Sequence, residues 1–193
     1  DVKSFYPNLG IKNNLYPAHL GPQFCDAYLG VYETRTTFDK GTAENGAYKL
    51  ALNGAYGNSN NEYSVFFDSK YTMSITINGQ LQLCMLAELV VGFTGAKMVQ
   101  VNTDGITCLV PKHSRALFEE LCTKWENHTG LELEHVEYAA MHIRDVNSYM
   151  AVKSKKSKPH PETGKLVWSP DEGIKRIGAY RTVTPLEDPF TRE

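Results

Sequence analysis

The feature that most constrains this chain is a four-residue polar turn, Asn102-Thr103-Asp104-Gly105. It sits between two short apolar runs, Met98-Val99-Gln100-Val101 and Ile106-Thr107-Cys108-Leu109-Val110. Apolar, β-branched residues on both sides of a polar tetrad that contains glycine predict two antiparallel strands joined by that turn. Such a hairpin holds Asp104 at its tip. Asp-Gly is also an ordinary turn dipeptide, so two readings of Asp104 stand at this point: a turn former, or a carboxylate presented for chemistry.

The rest of the chain divides around this hairpin. Asn13-Asn14 and Pro17 mark Gly10 to Gly21 as loop. Phe24, Tyr28 and Val31 fall at helical spacing, which predicts a helix from Pro22 to about Phe38; Asp39-Lys40-Gly41 ends it. Thr42 is placed to cap a second helix running to about Tyr56, and the two form an antiparallel pair. A long helix is expected over Tyr71 to Val91, with apolar positions nearly all round and hence burial. Ser114 to about Asn127 reads as an amphipathic helix with Leu117, Phe118, Leu121 and Trp125 inward. Leu131 to Ile143 and Tyr149 to Val152 read as strands. Beyond Lys153 the sequence turns rich in Lys, Ser and Pro, with a turn at Glu162-Thr163-Gly164, and a boundary is expected there.

With 193 residues, 41% hydrophobic and 22% charged, the chain can bury one good-sized core or two small ones. A net charge of -2 excludes nucleic-acid binding through overall basicity. Any such contact has to come from local cations, for which Lys153, Lys155, Lys156, Lys158, Lys175, Arg176 and Arg181 are the candidates. Cys25, Cys84, Cys108 and Cys122 form no CxxC pair and are expected to be reduced and buried. No uninterrupted apolar stretch reaches the ~18 residues of a membrane span, so a soluble intracellular protein without a membrane partner is expected. The six histidines show no metal-ligand spacing.

Three stretches together supply the parts of metal-assisted phosphoryl transfer: Asp1-Val2-Lys3-Ser4-Phe5-Tyr6-Pro7, Lys49-Leu50-Ala51-Leu52-Asn53-Gly54-Ala55-Tyr56-Gly57, and the turn with Asp104. Mg²⁺ takes one or two carboxylates and fills its shell with phosphate and water oxygens, so two convergent aspartates suffice. Asp1 and Asp104 are the candidates. Lys49, Asn53 and Tyr56 recur at i, i+4 and i+7 and share one helix face. That face serves either as a phosphate-binding surface or as a solvent-facing polar stripe.

In their order these stretches resemble motifs A, B and C of the family B DNA polymerases, over roughly the first 150 residues, and Ile77-Asn78-Gly79-Gln80 with the residues after it is most similar to tailed-phage enzymes. The resemblance implies an α+β fold, a polymerase palm with a small antiparallel sheet backed by helices, plus a short helical-hairpin fingers subdomain. Palm would cover 1–21 and 62–152, fingers 22–61, and the basic segment 153–193 would open a thumb. The implied function is template-directed DNA synthesis from dNTPs on a primer-template in the host cytoplasm, as part of a longer or split phage replicase. The alternative is a palm remnant that binds DNA or a partner subunit without catalysis. Exonuclease and thumb domains or a partner subunit would complete the unit.

By the same resemblance, two Mg²⁺ ions, replaceable by Mn²⁺, would be held by Asp1, Asp104 and the Val2 carbonyl. Ser4 and Phe5 would offer amides to the triphosphate, and Tyr6 would pack under the sugar. Lys49, Asn53 and Arg35 would bind phosphate, and Tyr56 would face the nascent base pair. Gly57, Thr103 and Tyr149 would meet the primer-template. The chain departs from the family pattern at Asn102 and Gly105, where motif C carries Asp and Ser, and at Asn147, where Lys precedes Tyr149 by two residues.

Overall fold

A single 26-residue helix, α4 (Ser69–Thr94), organises the fold. It starts where the Asp68 carboxylate accepts the Tyr71 amide at 3.0 Å and stops at Gly95, whose φ of 68° is open to glycine at little cost. Tyr71, Ile75, Gly79, Leu83, Leu86, Val90 and Thr94 are buried at three- and four-residue spacing, so one stripe faces the core. The expectation of burial all round is corrected: Met73, Ile77, Leu81 and Phe93 are exposed, because α1, α5 and the start of β1 pack along the buried stripe and leave the opposite side uncovered. By length and mean hydropathy (1.3 over 18 residues) α4 is also long and apolar enough to cross a membrane, a property that core helices share.

The computed structural model describes residues 1–159 and 166–180. The Glu162-Thr163-Gly164 turn and Arg181 lie outside the described residues. The fold is α+β, with five α-helices and two small antiparallel sheets among the described residues. α1 (Phe5–Lys12) occupies the start of the segment expected as loop from Gly10. Pro7 does not prevent it, because a missing N–H in the first turn removes no intrahelical bond. Phe5 and Leu9 press on Gly79 of α4, where an added Cβ would lie 3.1 Å from a Leu9 methyl.

α2 (Gln23–Thr36) and α3 (Ala43–Gly57) form the predicted antiparallel pair, and the Thr42 hydroxyl caps α3 by accepting the Asn45 amide at 3.2 Å. Their contact closes a small second core of Tyr28, Leu52 and Ala55. α5 (Arg115–Thr129) crosses α4 through Trp125, which is fully buried and donates its indole N–H to the Gln82 carbonyl at 2.9 Å. Trp125→Ala removes that anchor and opens a large cavity. A loss of about 3–5 kcal/mol in urea unfolding is expected, with α4 and α5 separating first by hydrogen exchange.

The hairpin of β1 (Lys97–Val101) and β2 (Ile106–Leu109) forms around the Asn102–Gly105 turn as expected, with a bulge between Met98 and Gln100. The second sheet has β4 (Ser148–Pro159) at its centre. β3 (Val136–Asp145) pairs along one side of β4, and β6 (Ile174–Ile177) and β5 (Leu166–Pro170) share the other. β3 begins later than the sequence suggested, since Leu131 to His135 is occupied in holding Asp1 to Lys3. β4 runs unbroken through Lys153, so the change in composition there does not interrupt secondary structure. Lys153 and Lys156 both pair with the single Asp171 carboxylate, at 3.3 and 3.4 Å. The four cysteines are free; Cys25 and Cys122 are buried, whereas Cys84 is exposed, contrary to expectation, on the uncovered side of α4.

Candidate active site

Asp1 and Asp104 are far apart in sequence and meet through main-chain bonds. The Val2 amide donates to the Asp104 carbonyl at 2.6 Å, and Val2 bridges Leu133 on its other side. The Asp1 nitrogen donates to the Glu134 carbonyl at 3.0 Å, Glu134 donates back to the Asp1 carbonyl at 2.7 Å, and Lys3 donates to Glu132 at 2.9 Å. The Glu126 carboxylate of α5 accepts the Leu133 amide, tying this extended pair to the helix beneath. Asp1 to Lys3 thus lies between the hairpin turn and residues 132–134. It belongs to neither named sheet, which departs from the expectation that one sheet carries both aspartates.

Gly105 stands where the resemblance to motif C implies serine. A Cβ there would sit 2.4 Å from Asp1 Oδ1 and 2.8 Å from Asp1 Cα, so only glycine lets the two carboxylate-bearing segments approach this closely. Both aspartates remain exposed and line one cleft of about 300 Å³ with Asn102, Thr103, Asn147, Tyr149 and Lys175. Gln100, nearly buried, donates to the Val146 carbonyl and fixes the hairpin to the β3–β4 turn at the cleft edge.

Lys175 enters this cleft from β6, its ammonium 3.5 Å from Asp1 Oδ2 and 5.8 Å from the centre of the Tyr149 ring. Burial works to lower its pKa, and the Tyr138 and Tyr149 phenols more than offset this, so Lys175 is held above its ordinary value and charged at neutral pH. The sequence marked Lys175 only as one of several cations. Its arrival depends on β6 pairing with Tyr149 to Val152, a long-range register with no local signal.

On the other side of Asp1, Ser4 takes a left-handed conformation (φ 46°) and starts α1. The Ser4, Phe5 and Tyr6 amides stand at a helix N-terminus, where main-chain donors have no intrahelical acceptor. Arg35 reaches across from α2 and donates to the Ser4 hydroxyl at 2.8 Å. Tyr6 stacks on Tyr56 with ring centres 4.3 Å apart, and the Tyr56 hydroxyl pairs with Thr76 of α4 at 2.9 Å. Burial raises the Tyr6 pKa, and its phenol is within reach of Thr103. The structure therefore brings Asp1, Val2, Ser4, Tyr6, Arg35, Tyr56, Thr103, Asp104 and Tyr149 around one region. Phe5 contributes only main chain there, since its ring is in the core. Lys49 and Asn53 stay on the exposed face of α3 with no side-chain hydrogen bond among the described residues, and Gly57 has open space where a Cβ would be.

Two carboxylates and one carbonyl make a small donor set, and the described residues contain no cluster of three acidic, histidine or cysteine side chains. The set still fits a hard cation. Val2 turns its N–H toward Asp104, and main-chain alternation turns its carbonyl the same way, where it accepts no hydrogen bond among the described residues. An unpaired carbonyl beside two exposed carboxylates is what Mg²⁺ binding needs from the protein when phosphate and water supply the rest.

His135, beside Glu134, lies between Phe118 and Trp168, and burial pushes its pKa down to about 4. A group whose protonated form is disfavoured in the fold contributes its full share above the unfolded value, near 6.5, and loses it as pH falls toward the folded value. Stability is expected to drop by about 2–3 kcal/mol between pH 6.5 and 4. His135→Gln should flatten that part of a urea-midpoint against pH curve.

These features define an α+β protein with a paired-aspartate cleft, a lysine at its edge and a helical hairpin beside it. No family model matches the chain, and no curated protein matches it.

Proposed function

We propose that this chain is the palm-and-fingers core of a DNA polymerase, transferring a nucleotidyl group from dNTP to a primer 3'-hydroxyl. The observation that carries the reading is the meeting of Asp1 and Asp104 through the Val2–Asp104 main-chain bond, with the Val2 carbonyl and Gly105 arranged around them. In the reaction the 3'-hydroxyl gives up its proton to solvent water, its oxygen bonds to the α-phosphorus, the bond from that phosphorus to the bridging oxygen breaks, and pyrophosphate leaves. Asp1, Asp104 and the Val2 carbonyl would hold divalent Mg²⁺ or Mn²⁺, which would supply charge neutralisation.

The chain's own residues bind and orient. The Ser4, Phe5 and Tyr6 amides offer donors to triphosphate oxygens, and Arg35, already on Ser4, adds a cation at the same end. Lys49 and Asn53 stand free on α3 to close onto the phosphates. The Tyr6–Tyr56 stack forms a flat apolar floor against which a sugar and base pair rest. Tyr149, Thr103 and Gly57 belong to the primer-template side. Lys175 pairs with Asp1 and keeps positive charge at the cleft edge. Palm 1–21 and 62–152, fingers 22–61 and a thumb opening at 153 follow from the same reading, as does a phage replicase acting in the host cytoplasm with further domains or a subunit.

A second reading, a palm remnant that binds DNA or a partner subunit without catalysis, is favoured by Asn102, which stands where the resemblance implies a carboxylate. Single-nucleotide extension of a labelled primer-template, run with Mg²⁺ and separately with Mn²⁺, separates the two. Extension in either metal supports the polymerase. DNA binding with no extension in both supports the remnant.

A further inference from the structure

The side of α4 that the fold leaves uncovered has a symmetry of its own. Lys70, Met73, Ile77, Leu81, Cys84 and Glu88 are all exposed, and their three- and four-residue spacing gathers them into one stripe along the helix. The stripe is centred on the level of Gly79. Lys70 lies nine residues before it and Glu88 nine after, and the eighteen residues from one to the other make about five turns, so both charges point the same way. Ile77 and Leu81 flank the same level, two residues to either side. Neither Lys70 nor Glu88 makes a side-chain hydrogen bond or ion pair among the described residues. A helix side with a cation at one end, an anion at the other and apolar residues between is complementary to its own reversed copy.

We propose that this side of α4 seats a second copy of the chain, with the two α4 helices antiparallel about a two-fold axis at the level of Gly79. Each Lys70 then meets the partner's Glu88, twice per dimer, and Ile77 packs against the partner's Leu81 in both directions. A parallel copy would set Lys70 against Lys70 and Glu88 against Glu88, which repel. A partner of unrelated sequence gives no reason for unlike charges to be spaced evenly about an apolar centre. A bilayer is the poorer occupant, although α4 is long and apolar enough to cross one. Glu88 stands in the stripe six residues before the helix ends, and hydrocarbon offers it no cation. A contact ~27 Å long and one helix wide falls short of the ~800 Å² per partner of a standard interface, so the dimer is weak, with a dissociation constant on the order of 100 µM.

Sedimentation equilibrium of the whole chain, from about 10 to about 500 µM, tests this for the parent, Lys70→Glu, Leu81→Asp and the exchanged pair Lys70→Glu/Glu88→Lys. All three positions are exposed, so the variants keep the fold, which circular dichroism checks. The expected result is a monomer–dimer equilibrium in the parent, weakened at least about tenfold in Lys70→Glu and restored to within about threefold of the parent in the exchanged pair. Leu81→Asp should abolish it. A parent that stays monomeric throughout overturns the proposal, and partition of that monomer onto phosphatidylcholine vesicles would make the occupant a lipid surface. A dimer that survives Leu81→Asp lies elsewhere on the molecule and overturns it too. An exchanged pair as weak as Lys70→Glu overturns the antiparallel pairing.

Discussion

Asp104→Asn is expected to abolish primer extension, by about a thousandfold or more, while leaving the fold intact. The two effects separate because the Asp104 side chain is exposed at the hairpin tip, whereas its main-chain carbonyl is what holds Val2. Asparagine keeps the size and the carbonyl and removes one full charge from the cation site. Stabilisation of charge developing in the transition state accounts for the largest share of phosphoryl-transfer catalysis, and an intact fold cannot replace it. Circular dichroism and the urea midpoint should match the parent within about 0.5 kcal/mol, as for an exposed substitution. A variant that extends primers at the parent rate places the chemistry elsewhere.

Gly105→Ala is the second large effect, and it acts through position. The added methyl would lie 2.4 Å from Asp1 Oδ1 and 2.8 Å from Asp1 Cα, and the second of these is backbone that cannot swing aside. Asp1 has to move by roughly an ångström, a displacement that costs on the order of 100-fold in rate when reacting groups are held for in-line attack. The Lys175–Asp1 pair at 3.5 Å should break with it. The expected signature is a fall in kcat with little change in dNTP KM, since Ser4 and Arg35, the residues proposed to bind phosphate, are untouched. An equal loss in Asp104→Asn and in Asp104→Asn/Gly105→Ala would show both acting through the same site.

What could be read from the sequence follows the range of the interactions. The β1–β2 hairpin was legible because its turn and both strands lie within fourteen residues of chain, and α3 because Thr42 caps it four residues before Gly46. The α1 helix was missed because Asn13-Asn14 and Pro17 marked the run from Gly10 as loop, and the helix ends at Lys12, just before them. Burial of α4 was overestimated because hydrophobicity on all sides does not say how many neighbours a helix has. The paired aspartates were legible as residue types, but their contact was not. It rests on Val2 between Asp104 and Leu133, a pairing with no periodic signal. Lys175 is the clearest case. In the sequence it is one cation among several, and only the β4–β6 register brings it to Asp1. Gly105, which looked like a departure from motif C, is the residue that makes the contact sterically allowed.

The most direct measurement is Mn²⁺ binding to the chain in the absence of nucleotide, followed by the paramagnetic signal of the free ion, for the parent, Asp1→Asn and Asp104→Asn. The account predicts saturable binding in the parent, weakened by at least about tenfold, or ~1.4 kcal/mol, in each variant. Binding of equal strength in all three, or none in the parent, would contradict a cation site built from Asp1 and Asp104.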